Sequence, residues 1–362
     1  MKFSRKNCFR FCIMVSALIL CLSISIFAYG AEVEKVIIDS DMAGDDMEAL
    51  LLCLQADNVE VLGVTLSPPY EIKEAVGQLE TRTARILRIV EATGQTDVGV
   101  YPGFSQVLIS GPAKGIITPV PGEATEPYTG FAKIKTRDKH AVDFIIETVN
   151  ANPGEVSIQV WGPWTNIAVA IRKDPTIAGK IKRIYAMGGL FGIGKPGYIW
   201  NYGEGGVMKG EGNFWADAEA CYIVWHSGIP LTIAPAEFCM WVKLTKEMVD
   251  TIVKAGTPVA ETFKERQAAL EKSGSTGSTP WDSMSALAMI APEIMKYAEH
   301  QIDIVTSGPA YGVTYVILPN RIYRYSPPNL STRIGEEPVT ARILYDIDIE
   351  AFKDLFIKLM TK

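Results

Sequence analysis

The sequence predicts an α/β protein with a mostly parallel central sheet flanked by helices. Short apolar runs typical of strands alternate with longer stretches of helical periodicity along most of the chain. The composition agrees, because 362 residues with 48% hydrophobic and 21% charged side chains can bury a large core. Since no repeat, linker or break in composition divides the chain after position 30, we expect one domain over residues 31–362.

The individual elements follow from these runs in chain order. Strands are predicted where β-branched and apolar residues cluster over a few positions, at residues 36–38, 59–65, 156–161, 181–186 and 230–234. Helices are predicted where the apolar spacing is three to four, at residues 46–56, 72–93, 138–151, 164–173 and 216–227. Long loops, which are often functional in a compact domain, are expected at residues 102–136, 196–214 and 273–280.

The first thirty residues have the layout of a secretory signal peptide. Four basic residues precede an apolar run over residues 11–27, and small residues, Ala28 and Gly30, precede the expected cleavage point. We therefore predict a signal peptide over residues 1–30 and an exported protein, periplasmic or secreted, with no membrane contact after cleavage. If the segment is not cleaved, its apolar run is long enough to serve as a membrane anchor.

The charged and metal-binding residues limit the classes of partner. A formal net charge of -6 gives no basic face for nucleic acid, so no nucleic-acid partner is expected. The only histidines are His140, His226 and His300, and no two are spaced to hold one metal ion, which makes a histidine-rich zinc site improbable. A small molecule or a hard metal ion remains as the expected ligand.

Three cysteines follow the leader, namely Cys53, Cys221 and Cys239. Because three is an odd number, at least one of them is unpaired. Cys53 and Cys221 stand in apolar helical contexts and are interpreted as core residues.

Four carboxylates lie within eight residues at the end of the first predicted strand, namely Asp39, Asp41, Asp45 and Asp46. Ligands of open α/β sheets bind at the carboxyl ends of the strands. Like charges so close together raise each other's pKa unless a cation lies among them, and oxygen ligands favour Ca²⁺ or Mg²⁺. The alternative is that Asp45 caps a helix while the other three are solvated. An Asp-x-Asp after a first strand also occurs in haloacid-dehalogenase phosphatases, but the residues that follow here do not fit that pattern.

Residues 39–46, DSDMAGDD, resemble the DTDPGxDD signature of the inosine/uridine-preferring nucleoside hydrolases, with Met42 and Ala43 replacing Pro and Gly. Four further stretches are similar to motifs of that family in the same order: GPWTNIA at 162–168, MGG at 187–189, EGNFWADAEA at 211–220 and SGIPLT at 227–232. The resemblance implies a Rossmann-like single domain that hydrolyses the N-glycosidic bond of a small-molecule nucleoside, with the homo-oligomer common among such enzymes as a further expectation.

The resemblance also implies a site around one Ca²⁺ ion. The implied metal ligands are Asp41, Asp46, the backbone carbonyl of Trp161, and Asp282. Asp41 is also the implied general base that activates water. The implied substrate-binding residues are Asp45, Met187, Glu211, Asn213 and Trp281.

The chain departs from the family pattern where the leaving base would be protonated. Trp281 stands where the family usually has a histidine just before the late aspartate, here Asp282. A second family histidine has no counterpart in residues 102–136, and Tyr70 replaces a family asparagine. A Trp-Asp pair is similar to the purine-preferring subgroup, which stacks the base on tryptophan, so purine ribonucleosides are the expected substrates. The alternative is a catalytically altered protein that binds ribosyl compounds on the same scaffold, with a metal-dependent phosphatase as a distant third.

Overall fold

A nine-stranded sheet forms the centre of the protein, as described by a computed structural model for residues 33–69, 75–109, 133–193, 210–317 and 339–362. The expected signal peptide, Tyr70 and most of the loops at 102–136 and 196–214 lie outside the described residues. The sheet strands are β1 Glu34–Ser40, β2 Val59–Leu66, β3 Gly99–Tyr101, β4 Val156–Trp161, β5 Ile181–Met187, β6 Leu231–Ala234, β9 Met295–Ile304, β10 Thr314–Ile317 and β11 Val339–Ile347, and a separate pair is formed by β7 Leu244–Thr245 and β8 Gly277–Ser278.

The described helices occupy both faces of this sheet. They are α1 Asp46–Gln55, α2 Ala75–Ala92, α3 Ala141–Ala151, α4 Thr165–Lys173, α5 Gly212–Ala216, α6 Ala218–Trp225, α7 Ala236–Cys239, α8 Lys246–Ala255, α9 Pro258–Glu261, α10 Lys264–Ser273, α11 Trp281–Ile290 and α12 Ile349–Met360. Within these ranges no helix is both long and apolar enough to cross a bilayer.

The strand order is β10-β9-β11-β6-β5-β4-β1-β2-β3. All neighbours from β3 to β11 pair in parallel. Among the described strands of this sheet only β9 runs in the opposite direction, and it pairs antiparallel with β11 on one side and with the edge strand β10 on the other. The chain winds outward from β1 in one direction and from β4 in the other, so a topological switch point lies between these two strands. The predicted α/β fold with a mostly parallel sheet is confirmed.

Two apolar clusters cover the sheet. The first cluster includes Leu50, Val64 and Phe356 and packs α1, α11 and α12 against one face. The second cluster includes Ile158 and Trp225 and packs α3, α4 and α6 against the opposite face. Cys53 and Cys221 are fully buried in these clusters, as predicted, and all three cysteines after the leader are free thiols.

The predicted elements agree with the structure to within a few residues, and the differences have local causes. The helix predicted from residue 138 begins at Ala141, because His140 is its N-cap and accepts a hydrogen bond from the Val142 amide through Nδ1 (3.2 Å). The predicted elements did not include β3, α5 or any helix or strand after β6. In β9 and β11, exposed and half-exposed positions interrupt the apolar pattern. Residues Glu34–Lys362 form one compact unit.

Candidate active site

The four clustered aspartates lie at the carboxyl ends of β1 and its following turn, beside the switch point. The Asp41 amide donates a hydrogen bond to the Trp161 carbonyl at the end of β4 (3.0 Å). This bond fixes the end of β1 against the end of β4. Gly162 follows, and a Cβ added there would lie 2.6 Å from Ser67 Oγ and 2.9 Å from Asp41 Cβ. A glycine is therefore required where the two strand ends and β2 approach one another.

The turn between Asp41 and Asp46 is held by its own side chains. Ser40 Oγ accepts a hydrogen bond from the Met42 amide (2.9 Å) and donates one to Asp46 Oδ1, and Asp41 Oδ1 accepts one from the Ala43 amide (3.0 Å). Met42 is buried with φ of 52°, a left-handed conformation that is unfavourable for a residue with a side chain. The hydrogen bonds hold this strained turn and return the chain to the site at Asp46.

Asp45, Asp46 and Asp282 form the carboxylate group of the site, with one oxygen from each lying within 4.8 Å of the others. Asp282 comes from the first turn of α11, far away in sequence. Burial, followed by the charge of neighbouring aspartates, raises the pKa of Asp46 and of Asp282 well above the usual range. Asp45 occupies the N-cap position of α1 but its side chain makes no capping hydrogen bond, so the capping alternative is wrong.

The residues of this group fit a hard cation. Asp282 Oδ1 is buried and has no hydrogen-bond partner among the described residues. An orphaned carboxylate oxygen beside two further carboxylates is the donor set that Ca²⁺ and Mg²⁺ prefer. Of the ligands predicted from sequence, Asp46 and Asp282 lie in the group, together with Asp45, which was assigned to the sugar. The charge of Asp41 acts on both Asp46 and Asp282, and the Trp161 carbonyl accepts the hydrogen bond from the Asp41 amide.

Asp39 lies behind the site rather than in it. Its Oδ1 accepts hydrogen bonds from Thr65 Oγ1 (2.6 Å) and Asn166 Nδ2 (2.8 Å), and burial raises its pKa to about 7. Asn166 also donates to the Leu66 carbonyl (2.8 Å) and accepts from the Phe104 amide (3.1 Å). The amide side chain thus joins β1, the end of β2, the loop after β3 and its own helix α4.

The predicted sugar-binding residues Met187, Glu211 and Asn213 come together at the end of β5. Glu211 accepts hydrogen bonds from the amides of Gly189 (2.8 Å), Asn213 (2.9 Å) and Phe214 (3.2 Å), and burial raises its pKa to about 7. Asn213 Nδ2 donates to the Met187 carbonyl (3.2 Å). Glu211 is therefore oriented by the backbone before any ligand binds.

A second carboxylate, which the sequence did not single out, orders the loop that follows Gly189. Glu237 Oε1 accepts hydrogen bonds from the amides of Phe191 (2.9 Å) and Ile193 (3.1 Å), and its side chain is buried. Glu211 thus binds this segment at Gly189, and Glu237 binds it at Phe191 and Ile193. The only sequence signal was an acidic residue in an otherwise apolar stretch after β6.

Trp281 is the first residue of α11 and is half-buried directly beside Asp282. The Cys239 thiol lies 3.6 Å from its carbonyl oxygen. The three histidines lie in other parts of the fold: His140 caps α3, His226 ends α6 near Asp303, and His300 lies in β9.

Sequence reasoning also missed three residues that contact the turn. Arg82 Nη1 of α2 donates to the Asp41 carbonyl (2.7 Å), and Arg266 Nη2 of α10 donates to the Gly44 carbonyl (2.9 Å). Ser67 is buried beside Gly162, and its hydroxyl has no hydrogen-bond partner in the described part of the chain. Basic residues within helical patterns carry no signal that they face inward, which is why the sequence did not reveal the two arginines.

Comparison with known proteins places this geometry in a family. The family sequence model of the inosine-uridine preferring nucleoside hydrolases matches residues 36–354, which is most of the chain. The chain belongs to this family. Its members are hydrolases acting on N-glycosyl compounds, and the resemblance inferred from the five motifs is confirmed.

Nucleoside hydrolases are also the relatives found by sequence and by structure. The chain is 29% identical over 296 residues to the pyrimidine-specific ribonucleoside hydrolase RihB of Escherichia coli O9:H4 (strain HS), covering 78% of this chain and 87% of that protein. A plant nucleoside hydrolase, PpNRh1, is 23% identical with a TM-score of 0.74, covering 91% and 99% of the two chains. A purine-preferring ribonucleoside hydrolase from Gardnerella vaginalis is 21% identical with a TM-score of 0.69, covering 91% and 98%. These structural likenesses confirm the fold.

Proposed function

We propose that this nucleoside hydrolase is a Ca²⁺-dependent enzyme that releases the base from ribonucleosides and prefers purines. The observation that carries the metal dependence is the group of Asp45, Asp46 and Asp282, with a buried Asp282 oxygen that lacks a partner among the described residues. Hard cations select such oxygen donors. When bound, the ion would lower the pKa of a water molecule and orient sugar and nucleophile together.

The roles of the chain's own groups follow from their positions. Asp41 is buried next to the carboxylate group and would take the proton of the attacking water as general base. Glu211 and Asn213, held by the backbone contacts at the end of β5, would bind the ribose hydroxyls. The surrounding carboxylates would stabilise the positive charge that develops at the sugar carbon as the glycosidic bond breaks.

The purine preference rests on Trp281. Its half-buried indole at the start of α11 lies directly beside Asp282 of the carboxylate group, and we expect the base to stack on it. Since the place of the family histidine is taken by this tryptophan, protonation of the leaving base would come from solvent, which is easier for a purine made more basic by stacking. Pyrimidine nucleosides are the second candidate, favoured by the similarity to pyrimidine-specific relatives. The catalytically altered binding protein is not favoured, because the curated relatives are hydrolases.

A substrate panel tests the activity. The protein lacking residues 1–30 is incubated with Ca²⁺ and inosine, adenosine, guanosine, uridine or cytidine, and free ribose is measured. We expect ribose release with higher kcat/KM for the purine nucleosides, and its absence with all five would refute the hydrolase proposal. Asp41→Asn should lower kcat by at least ~100-fold, as expected when a general base is lost, whereas Asp282→Ala should mainly weaken Ca²⁺ binding.

Substitution at the tryptophan tests the base preference. Trp281→Ala should reduce kcat/KM for inosine more than for uridine because the stacking surface is lost. Trp281→His restores the residue that usually precedes the late aspartate and should shift the ratio toward uridine. Equal losses for the two nucleosides in Trp281→Ala would contradict a stacking role.

Export is proposed from the leader alone. Fractionation of expressing cells, with N-terminal sequencing of the product, should place the protein outside the cytoplasm with a mature chain that begins at residue 31. A product that starts at residue 1 in the membrane fraction would indicate an uncleaved anchor. Light scattering on the purified product tests the expected homo-oligomer.

A further inference from the structure

Arg82 is a buried cation in direct contact with the proposed catalytic residue. Its Nη1 atom donates a hydrogen bond to the Asp41 carbonyl (2.7 Å) and lies 3.8 Å from Asp41 Oδ2. The side chains of both residues are almost fully buried, with 7% and 1% of their surfaces exposed. Arg82 comes from the middle of α2, so the contact joins a helix on one face of the sheet to the end of the central strand β1.

The positive charge of Arg82 acts on Asp46 as well as on Asp41. It opposes the effect of the neighbouring aspartates on Asp46, which lies on the other side of the turn. In a buried site an ion pair at this distance is weakly screened, so one fixed cation changes the potential felt by every group nearby. An arginine remains charged at all accessible pH values, so this charge is permanent.

A second arginine contacts the same turn but contributes no comparable charge. Arg266 donates to the Gly44 carbonyl (2.9 Å), and its guanidinium also pairs with buried Glu48 at 2.7 Å. The carboxylate of Glu48 offsets the charge of Arg266 locally. Arg82 and Arg266 thus both hold the turn by a backbone carbonyl, while only Arg82 adds its charge to the site.

We propose that Arg82 is a positioning residue for Asp41 and a resident counter-charge that sets the affinity of the site for its divalent cation. Its hydrogen bond fixes the backbone from which the Asp41 side chain projects. Its charge partly neutralises the carboxylates in the metal-free protein and competes with the incoming cation. The part concerning the cation rests on the proposed Ca²⁺ dependence, whereas the coupling to Asp41 does not.

The first experiment uses the metal-free protein. In EDTA at pH 8, thermal unfolding is measured for wild type, Arg82→Gln, Asp41→Asn and the double variant. We expect the effects of the two substitutions to be non-additive, as they are for residues in direct contact. Arg172→Gln, an exposed arginine at the end of α4, is the matched control and should be additive with Asp41→Asn. Additivity of Arg82→Gln with Asp41→Asn would overturn the positioning role.

The second experiment separates charge from position. Titration calorimetry with Ca²⁺ alone should give Arg82→Gln a Kd about tenfold lower than wild type, because a competing positive charge has been removed. Arg82→Lys keeps the positive charge but not the planar guanidinium group. Its Kd for Ca²⁺ should stay within about threefold of wild type, while its kcat for nucleoside hydrolysis should be lower than that of wild type. Arg266→Gln should not tighten binding.

The outcomes distinguish the proposals from each other. Equal or weaker Ca²⁺ binding by Arg82→Gln would overturn the counter-charge role. If wild type binds no Ca²⁺, the metal-dependent function fails and with it the effect on cation affinity, while the double-variant cycle still decides the positioning role.

Discussion

Asn166 links more parts of the site than any other neutral side chain described above, so its removal should have a large and specific cost. Asn166→Ala removes the hydrogen bonds to Asp39 (2.8 Å), the Leu66 carbonyl (2.8 Å) and the Phe104 amide (3.1 Å). Each lost bond costs about 1 kcal/mol, and partners left buried without a replacement cost about 1–3 kcal/mol each. Asp39 keeps the bond from Thr65, so the larger cost applies to the Leu66 carbonyl and the Phe104 amide, and we expect a total of at least ~3 kcal/mol.

The corresponding change in melting temperature follows from the size of the chain. With an unfolding entropy of about 2.1 cal/mol/K per residue, a loss of ~3 kcal/mol lowers Tm by about 4 °C. Differential scanning calorimetry of Asn166→Ala against wild type measures it, with Asn150→Ala on the exposed side of α3 as the matched control. A Tm for Asn166→Ala within about 1 °C of the Asn150→Ala value would refute the reasoning, since surface substitutions stay within about 0.5 kcal/mol.

Two further predictions concern the pH dependence and the packing of the site. The pKa of Glu211 is about 7 in the folded protein against an ordinary value of 4.5, so the folded state binds more protons and stability falls as pH rises between these values. Glu211→Gln should therefore show a shallower loss of Tm from pH 5 to 8 in EDTA, and an unchanged slope would contradict this. Gly162→Ala places a methyl group 2.6 Å from Ser67 Oγ and 2.9 Å from Asp41 Cβ, so we expect it to lower the kcat of nucleoside hydrolysis at least tenfold. The control is Gly179→Ala, which has open space around the added methyl group and should leave kcat unchanged.

Up to residue 234 the sequence predicted most of the elements that have a local pattern, whereas the amphipathic helices Lys246–Ala255 and Ile349–Met360 were not predicted although their pattern is present. Strand Val156–Trp161 places Val, Ile and Trp residues around Ser157 and Gln159, all six residues are buried because the sheet is covered on both faces there, and the structure reproduces the predicted range. Strand β9 was missed because only three of its ten residues are buried, so no apolar period is present. The antiparallel edge of the sheet could not be predicted for the same reason.

The site was predictable to the extent that its residues lie in motifs. Met187, Glu211 and Asn213 meet as expected, and Asp46 meets Asp282, because the motifs stand at the ends of parallel strands or begin the helices near them. Asp45 was assigned to the sugar, and the structure places one of its carboxylate oxygens within 4.8 Å of those of Asp46 and Asp282. Its placement depends on the path of a strained turn, which a linear spacing does not specify.

The contacts missed by the sequence divide the acidic residues of the site into two kinds. Both carboxylate oxygens of Glu211 accept hydrogen bonds from backbone amides, and these bonds hold the loop after β5. Glu237 accepts amide hydrogen bonds through Oε1 alone, and its buried Oε2 has no partner among the described residues. Asp282 keeps a buried oxygen without a partner among the described residues. A buried carboxylate satisfied by the backbone stabilises its surroundings, whereas one left unsatisfied is unfavourable until a cation or substrate binds. Asp282 differs from Glu237 because its carboxylate lies within 4.8 Å of those of Asp45 and Asp46, so ligand binding best explains the stability given up there. Arg82 beside Asp41 limits how much charge repulsion the folded protein must tolerate before that ligand binds.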